Sequence, residues 1–184
     1  MNAPAGPAKV KVVTVSLAGC FGCHMSLLDL DETLLELAPR IEMVRSPLVD
    51  TREWDSCDVA LIEGGLCNSE NVSTLREIRR KSKVLIALGA CAVTGGLPAQ
   101  RNHLDVRDCL RSVYVSRCTE GLGRIPDDPE LPLPLDKVYP LHAVVRVDHF
   151  LPGCPPSAST IGAALLALLE GRTPEAVPGQ LRYD

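Results

Sequence analysis

The sequence lacks the features of several common protein classes. It has no basic excess, because 19 Lys and Arg residues stand against 23 Asp and Glu residues and give a formal net charge of -4. Only residues 79–81 form a short basic run, which argues against a nucleic-acid groove or a surface for anionic membranes. No apolar run approaches the roughly 18 residues of a membrane span, and the longest candidate, residues 161–169, has the length of a core helix.

Residues 1–7 have neither the charged start nor the apolar stretch of a signal peptide, so we expect no secretory leader. The eight cysteines are therefore not expected to form the disulfides of a small secreted protein. We expect reduced thiols and a cytoplasmic location.

The chain shows neither an internal repeat nor a boundary that would divide it. We expect one domain over residues 1–184, with residues 1–8 as a flexible N-terminus. A domain of this size buries roughly 68–70% of its unfolded-chain surface, so no metal is needed merely to hold the fold together.

Apolar, β-branched runs alternate with helical patterns along the chain. Strands are predicted at residues 10–17, within 41–49, from 58 into a glycine turn at 64–65, at 83–88 and within 143–147. Helices are predicted from Ser26, capped with Asp29, to Pro39; around residues 72–78; and over 156–170, with Gly171 as the stop. Five prolines within residues 125–140 predict a long, irregular surface loop. The alternation predicts an α/β fold with a doubly wound parallel sheet.

Four of the cysteines lie in loops marked by glycine or proline, each where a predicted strand ends. Cys20 and Cys23 follow the first strand, Cys91 follows the fourth, and Cys154 follows the last. Because the carboxyl ends of parallel strands meet at one edge of a sheet, we expect the four thiols to converge there. Four thiolates are the ligand set of a 4Fe-4S cluster.

The residues beside these cysteines suit the same chemistry. Glycines adjoin the loops at Gly19, Gly22, Gly89 and Gly153. They allow close backbone approach, so that amides can point at anionic sulfur. Pro155 follows Cys154 as proline follows cysteine in bacterial ferredoxin runs, and it predicts a helix N-terminus there. The helix field is expected to lower the pKa of each ligand thiol.

Other interpretations of these thiols exist. The Cys20 and Cys23 pair alone also suits a thioredoxin-like dithiol or half of a zinc site. One close pair joined by two single cysteines has no simple zinc counterpart, which disfavours both interpretations. A flavin-binding flavodoxin-like module would need a phosphate-cradling loop after the first strand, where cysteines stand instead.

Four motifs carry a family resemblance: Gly-Cys-Phe-Gly-Cys-His-Met-Ser at 19–26, Ile-Glu-Gly-Gly at 62–65, Gly-Ala-Cys at 89–91 and Pro-Gly-Cys-Pro-Pro at 152–156. Together they resemble the small subunit of nickel-iron hydrogenases, in particular the HoxY-type subunit of the cytoplasmic, NAD-reducing (bidirectional) enzymes. The resemblance implies a flavodoxin-like domain in which Cys20, Cys23, Cys91 and Cys154 bind one 4Fe-4S cluster. It also implies a large partner subunit with the nickel-iron centre, and diaphorase subunits with FMN, NAD and further iron-sulfur clusters.

Departures from the wider family narrow this expectation. Membrane-bound and periplasmic small subunits carry a twin-arginine signal and a C-terminal domain with further clusters, so this chain is expected to be a one-cluster, cytoplasmic version. The small subunit of respiratory complex I has adjacent cysteines where two residues separate Cys20 from Cys23. Electron transfer in hydrogen oxidation is thus the expected function. The alternatives are another cytoplasmic nickel-iron hydrogenase, a complex I-like quinone reductase, or a thiol-disulfide redox protein.

Several reactive side chains keep open roles. The other cysteines receive no assignment: Cys57, Cys67, Cys109 and Cys118. His24 is expected either to bond a cluster sulfur, to help a proton leave, or to be an exposed polar group, and the remaining histidines have less to suggest a role. Glu63 either relays protons or is a strand-end carboxylate satisfied by loop amides.

Overall fold

The computed structural model describes residues 9–51, 53–119 and 121–174. The predicted flexible N-terminus, residues 1–8, lies outside the described residues, and the assignment of all of residues 1–184 to one domain stays a prediction.

A parallel sheet forms the centre of the fold. The strands are β1 Val10–Ser16, β2 Ile41–Arg45, β3 Cys57–Glu63, β4 Leu66–Asn68, β5 Ser82–Leu88, β6 Pro134–Tyr139 and β7 His149–Leu151. Five of them pair in the order β2-β1-β3-β5-β7, and every pairing in that sheet is parallel. Numbered within the sheet, this is the 2-1-3-4-5 order of flavodoxin-like folds, so the predicted fold class is confirmed.

Helices cover both faces of this sheet. The helices of the described chain are α1 Gly22–Leu28, α2 Glu32–Leu37, α3 Ser69–Lys81, α4 Gly89–Thr94, α5 Val106–Arg111 and α6 Ala158–Leu169. Of these, α5 contacts β6, which lies outside this sheet and pairs with β4 in a two-stranded one. On one face, Leu61 of β3 packs in a buried cluster with Leu27 and Ile161. On the other face, Ile62 packs with Ile78 of α3. Successive strand residues point to opposite faces, which explains why β3 is apolar through most of its length.

The helix predicted from Ser26 to Pro39 is wrong in its start and its continuity. It begins earlier, at Gly22, and breaks between α1 and α2, where Asp31 has a φ of 47°. Ser26 does not cap a helix with Asp29. Instead its buried hydroxyl donates to the carbonyl of Pro156 at 2.6 Å and ties α1 to the loop before α6.

The proline-rich stretch is only partly a loop. Its second half forms β6, which pairs antiparallel with β4, and Pro134 faces Asn68 in that register. Pro134 fits because it begins a strand at the edge of a two-stranded sheet. The prediction of the whole of 125–140 as irregular is therefore wrong from Pro134 to Tyr139.

The last strand of the main sheet is β7, and the prediction of a strand within 143–147 is wrong. A 3₁₀ turn occupies Leu141–Ala143. The carboxylate of Asp148 accepts a hydrogen bond from the Leu85 amide at 2.8 Å and pairs with Arg79. The Asp148 amide in turn donates to the Leu85 carbonyl at 2.9 Å, and the β7 ladder begins at the next residue, His149.

The final helix is close to its prediction. Ser157, not proline, is the N-cap, and its hydroxyl accepts from the Thr160 amide. Gly171, with a φ of 70°, ends the helix as predicted, and the Arg172 amide bonds the Ala167 carbonyl. Among the described residues, none of the helices is both long and apolar enough to cross a membrane.

Candidate functional site

All four predicted cysteines lie at the carboxyl edge, the edge of the main sheet at which its parallel strands end. Cys20 lies in the loop after β1, Cys23 in the first turn of α1, Cys91 in α4 directly after β5, and Cys154 between β7 and α6. Cys20 is exposed and the other three are partly buried. Parallel pairing thus brings together side chains that are up to 134 residues apart in sequence.

Backbone hydrogen bonds fix these loops against one another. Ala18 and Gly65 exchange two bonds, of 3.0 and 2.8 Å, which link the loop after β1 to the end of β3. The Ala90 amide donates to the Gly153 carbonyl at 2.7 Å, which links the Cys91 and Cys154 loops directly. The relative positions of the loops therefore depend on backbone contacts rather than on the thiols themselves.

The thiols lie close enough to affect one another electrostatically. Burial raises the pKa of Cys23 most, followed by the Glu63 carboxylate and then by the Cys91 and Cys20 thiols. Burial also raises the pKa of Cys91, followed by Cys154 and Cys20. Each of the four cysteines therefore takes part in this set of mutual interactions.

The expectation that helix fields lower the thiol pKa values is wrong for Cys23 and Cys91. Their helices, α1 and α4, have only 7 and 6 residues, and loss of water around the sulfur outweighs the dipole. Cys154 precedes α6 by four residues and is not at its N-terminus. Without a cation these buried thiols favour the neutral form, so bound iron would have to supply the charge that stabilises thiolates.

Glycines keep space open beside three of the thiols. A Cβ on Gly89 would lie less than 3.0 Å from Cys23 Sγ, and one on Gly96 would lie 3.0 Å from Cys91 Sγ. A Cβ on Gly22 would lie 3.2 Å from Cys20 Sγ. Side chains at these positions would crowd the sulfur atoms, so the glycines form a cradle that an inorganic cluster fits.

Glu63 holds the first cysteine loop in place. It ends β3, is 2% exposed, and its Oε2 accepts from the amides of Cys23 at 2.9 Å and His24 at 3.2 Å. Burial alone would raise the pKa of this carboxyl, but the His24 ring, the Ser16 hydroxyl and the Cys23 thiol outweigh it and lower the pKa. Loop amides thus bind Oε2, as one interpretation of Glu63 predicts. Oε1 lies 3.1 Å from His24 Nδ1 and has no amide partner among the described residues, and a proton-relay role stays a prediction.

His24 is buried, at 1% exposure, so its interpretation as an exposed polar group is wrong. Its Nδ1 lies 3.1 Å from Glu63 Oε1, its Nε2 lies 2.9 Å from Thr14 Oγ1, and its ring stacks on Phe21. The network continues from Thr14 to the Ser46 hydroxyl at 2.7 Å. Neither Thr14 nor Ser46 carries a recognisable sequence signal, because both lie within or after ordinary strand patterns.

The unassigned cysteines do not join the carboxyl-edge set. Cys57 is buried at the start of β3, where burial and Asp58 raise the pKa of its thiol to about 11. The Cys67 thiol bonds Asn71 Oδ1 at 3.3 Å. Cys109 lies on α5 and Cys118 follows it. Within the described ranges, no three His, Cys, Asp or Glu side chains form a site for one metal ion.

Comparisons with known proteins agree with this geometry. Residues 20–168 match the family described as NADH ubiquinone oxidoreductase, 20 Kd subunit. The delta subunit of the NAD-reducing hydrogenase HoxS from Cupriavidus necator is 42% identical over 181 residues, covering 96% of this chain and 86% of that protein. A subunit of the F420-non-reducing hydrogenase vhu from Methanococcus voltae is 44% identical over 168 residues, which cover 91% of this chain but only 58% of that protein.

Solved structures give the same result. The chain superposes on one chain of an NAD+-reducing [NiFe]-hydrogenase in the H2-reduced state with a TM-score of 0.92 and 52% identity, covering 96% of this chain and all of the other. A [NiFeSe]-hydrogenase chain from Dm. baculatum, at 18% identity and a TM-score of 0.58, shares the fold alone. The chain therefore belongs to the NADH ubiquinone oxidoreductase 20 kDa subunit family and, within it, to the hydrogenase small subunits that HoxS delta represents.

Proposed function

We propose that this chain is the electron-transfer subunit of a cytoplasmic, NAD-reducing nickel-iron hydrogenase. In this proposal Cys20, Cys23, Cys91 and Cys154 hold one 4Fe-4S cluster. When bound, such a cluster accepts and releases one electron at a time, and no bond-making step belongs to the chain itself.

The single observation that carries the proposal is the convergence of four thiols from three loops onto a glycine-lined cradle. The loops are fixed by backbone bonds such as Ala90 to Gly153. The cradle leaves room beside Cys20, Cys23 and Cys91 that any side chain would fill. A thiol-disulfide protein would need only the first pair, and would leave the positions of Cys91 and Cys154 and the cradle unexplained.

The chain's own residues would have two roles in this function: they orient the ligand loops, and they set the reduction potential of the cluster. Glu63 accepts from the Cys23 and His24 amides and orients the Cys20–Cys23 turn. The Leu97 amide acts on the Cys91 thiol to lower its pKa against the effect of burial. Hydrogen bonds to sulfur and exclusion of water are the means by which a protein sets a cluster's reduction potential.

The partners follow from the relatives and from the surface of the carboxyl edge. A large subunit with the nickel-iron centre would face this edge, where Met25 is 53% exposed and Leu97 is 68% exposed. Apolar side chains of this kind become buried in obligate interfaces. Diaphorase subunits with FMN, NAD and further clusters would then exchange electrons with this subunit, in keeping with the NAD-reducing relatives.

Iron and acid-labile sulfide analysis tests the ligand set. The anaerobically reconstituted chain should bind about four irons, as a site of four thiolates requires. Serine at any one of Cys20, Cys23, Cys91 and Cys154 should lower the iron content. Serine at the matched control positions should not, and these are Cys57, Cys67, Cys109 and Cys118. A full cluster in the Cys91→Ser, Cys154→Ser double variant would end the proposal.

A further inference from the structure

The chain between α4 and β6 differs from the rest of the fold over residues 97–133, which we call the excursion. In its described part no residue is buried. It nevertheless holds eight of the thirteen large hydrophobic residues that are exposed in the described chain. They are Leu97, Leu104, Val113, Tyr114, Val115, Leu122, Leu131 and Leu133. Scattered exposed apolar residues need no explanation, but a concentration of this kind marks an interaction surface.

The centre of the excursion is a π-helix, Ser112–Ser116, which continues directly from α5. It exposes three consecutive apolar residues, Val113 at 60%, Tyr114 at 42% and Val115 at 42%, and we call these three residues the ridge. The returning chain packs closely behind them, since a Cβ on Gly123 would lie 2.8 Å from the Val115 Cα. The returning backbone thus packs against one side of the π-helix, and the ridge faces solvent on the other side. Short π-helical turns of this kind are frequent at functional sites.

Four arginines flank the ridge. Arg107 and Arg111 precede it on α5, and Arg117 and Arg124 follow it. All four are exposed, and none forms a side-chain hydrogen bond or ion pair with another described residue. Tyrosine and arginine are strongly enriched among the residues that dominate protein interfaces, and a guanidinium binds a carboxylate through paired hydrogen bonds.

The acidic residues nearby do not satisfy these arginines. Asp105 accepts from the Arg107 and Asp108 amides as the N-cap of α5. Asp127 and Asp128 line a cleft beside Tyr114 on the opposite arm of the excursion, yet neither lies within ion-pair distance of a described arginine. Within the described ranges, these four guanidinium groups therefore have no carboxylate within ion-pair distance and can bind one on a partner.

We propose that the ridge and its four arginines form a second docking surface, for a protein subunit with an apolar groove rimmed by Asp and Glu side chains. This inference rests on the proposed function in one respect, that the chain works inside a multi-subunit assembly. The partner is a protein rather than a nucleic acid, because the apolar ridge lies at the centre of the charge and the chain as a whole carries a net charge of -4.

The test uses the assembled complex, purified through a tag on another subunit. Amide hydrogen exchange is compared between the isolated chain and the complex. Peptides over residues 106–117 should exchange at least tenfold more slowly in the complex. Equal exchange in both states would overturn the proposal.

Two variants and a control locate the contact. The Val113→Asp, Val115→Asp variant should reduce retention of one subunit at least tenfold by native mass spectrometry. The Arg111→Glu, Arg117→Glu variant should weaken retention most at low salt, where charge is least screened. Leu35→Asp, at a residue of α2 that is 74% exposed, is the matched control and should assemble normally.

The outcomes separate this inference from the proposed function. Iron content and thermal midpoint are measured on every sample, so that loss of a subunit with the cluster and fold intact supports the ridge alone. Retention of all subunits by the Val113→Asp, Val115→Asp variant would refute the surface, even with a full cluster present. If the isolated chain instead forms a dimer that the same variant dissolves, the occupant is a second copy and the assigned partner is wrong.

Discussion

The most discriminating variant of the candidate site is Gly89→Ala. Gly89 has a φ of 82°, and its added Cβ would collide with the Cys23 sulfur. The next contacts, Gly153 O at 3.6 Å and the Pro156 side chain at 3.7 Å, are ordinary ones. One methyl group therefore acts on one proposed ligand.

The expected magnitude follows from two effects. A left-handed conformation costs an alanine about 1–2 kcal/mol, which the lower entropy of the unfolded chain offsets by about 0.4–1 kcal/mol. Overpacking adds about 1–3 kcal/mol unless a neighbour moves. The Cys23 side chain can rotate away, so the stability loss should stay near the lower end while the sulfur leaves its position.

Gly121→Ala is the matched control. Gly121 has a φ of 67°, but an added Cβ would meet nothing within 4 Å. Both variants should lower the free energy of unfolding of the reduced, cluster-free chain in urea, by amounts that differ by at most a few kcal/mol. Iron content after reconstitution should fall to less than half in Gly89→Ala and stay at the wild-type value in Gly121→Ala. Full iron content and an unchanged spectrum in Gly89→Ala would refute the argument that this glycine makes room for the cluster.

Three further predictions concern stability and reactivity. Glu63→Gln should lower the free energy of unfolding of the cluster-free chain by about 1.5–3 kcal/mol, because charge-assisted bonds to buried amides are lost. Glu36 is exposed, so the control substitution Glu36→Gln should change this free energy little. For Asp148, burial opposes ionisation, but its amide and guanidinium partners outweigh burial and lower the pKa. The ionised Asp148 therefore stabilises the fold above the ordinary aspartate pKa of about 3.9, and this contribution is lost as the pH falls through the lower pKa of the folded state. Urea titrations should show the wild type to be more stable than Asp148→Asn at pH 7. The difference in the free energy of unfolding should shrink below about pH 4. Cys57 is 2% exposed, and its pKa is raised to about 11. Its thiol should therefore react with iodoacetamide at pH 8 at least tenfold more slowly than the thiol of the exposed Cys118. Peptide mass spectrometry can measure both rates, and equal rates would contradict the burial of Cys57.

The sequence is most informative where local pattern and global fold coincide. The predicted bounds of β1, β3 and β5 agree with the structure within one or two residues, because buried parallel strands are continuous apolar runs. The position of the cysteines at strand ends then places all four at one edge, since parallel strands end together.

The errors arise where long-range contacts override local pattern. Residues 143–147 have a strand-like composition, but they follow a 3₁₀ turn at Leu141–Ala143, and backbone bonding to β5 begins only at Asp148. β6 lies in a proline-rich stretch and exists through its pairing with β4, about 70 residues earlier in the chain. Local propensity contains no information on such partners.

The sequence alone thus indicated the fold class, the set of four thiols and the edge of the sheet at which these thiols lie. Only the tertiary structure decided how the site is held. The parallel register of β1 and β3 places Ser16 opposite Glu63 and, with the Ala18–Gly65 backbone bonds, brings a buried carboxylate to the amides of Cys23 and His24. A carboxylate so far from its partners in sequence has no local signature, because its lowered pKa and its role come from groups that only the fold brings close to it, against the opposing effect of burial.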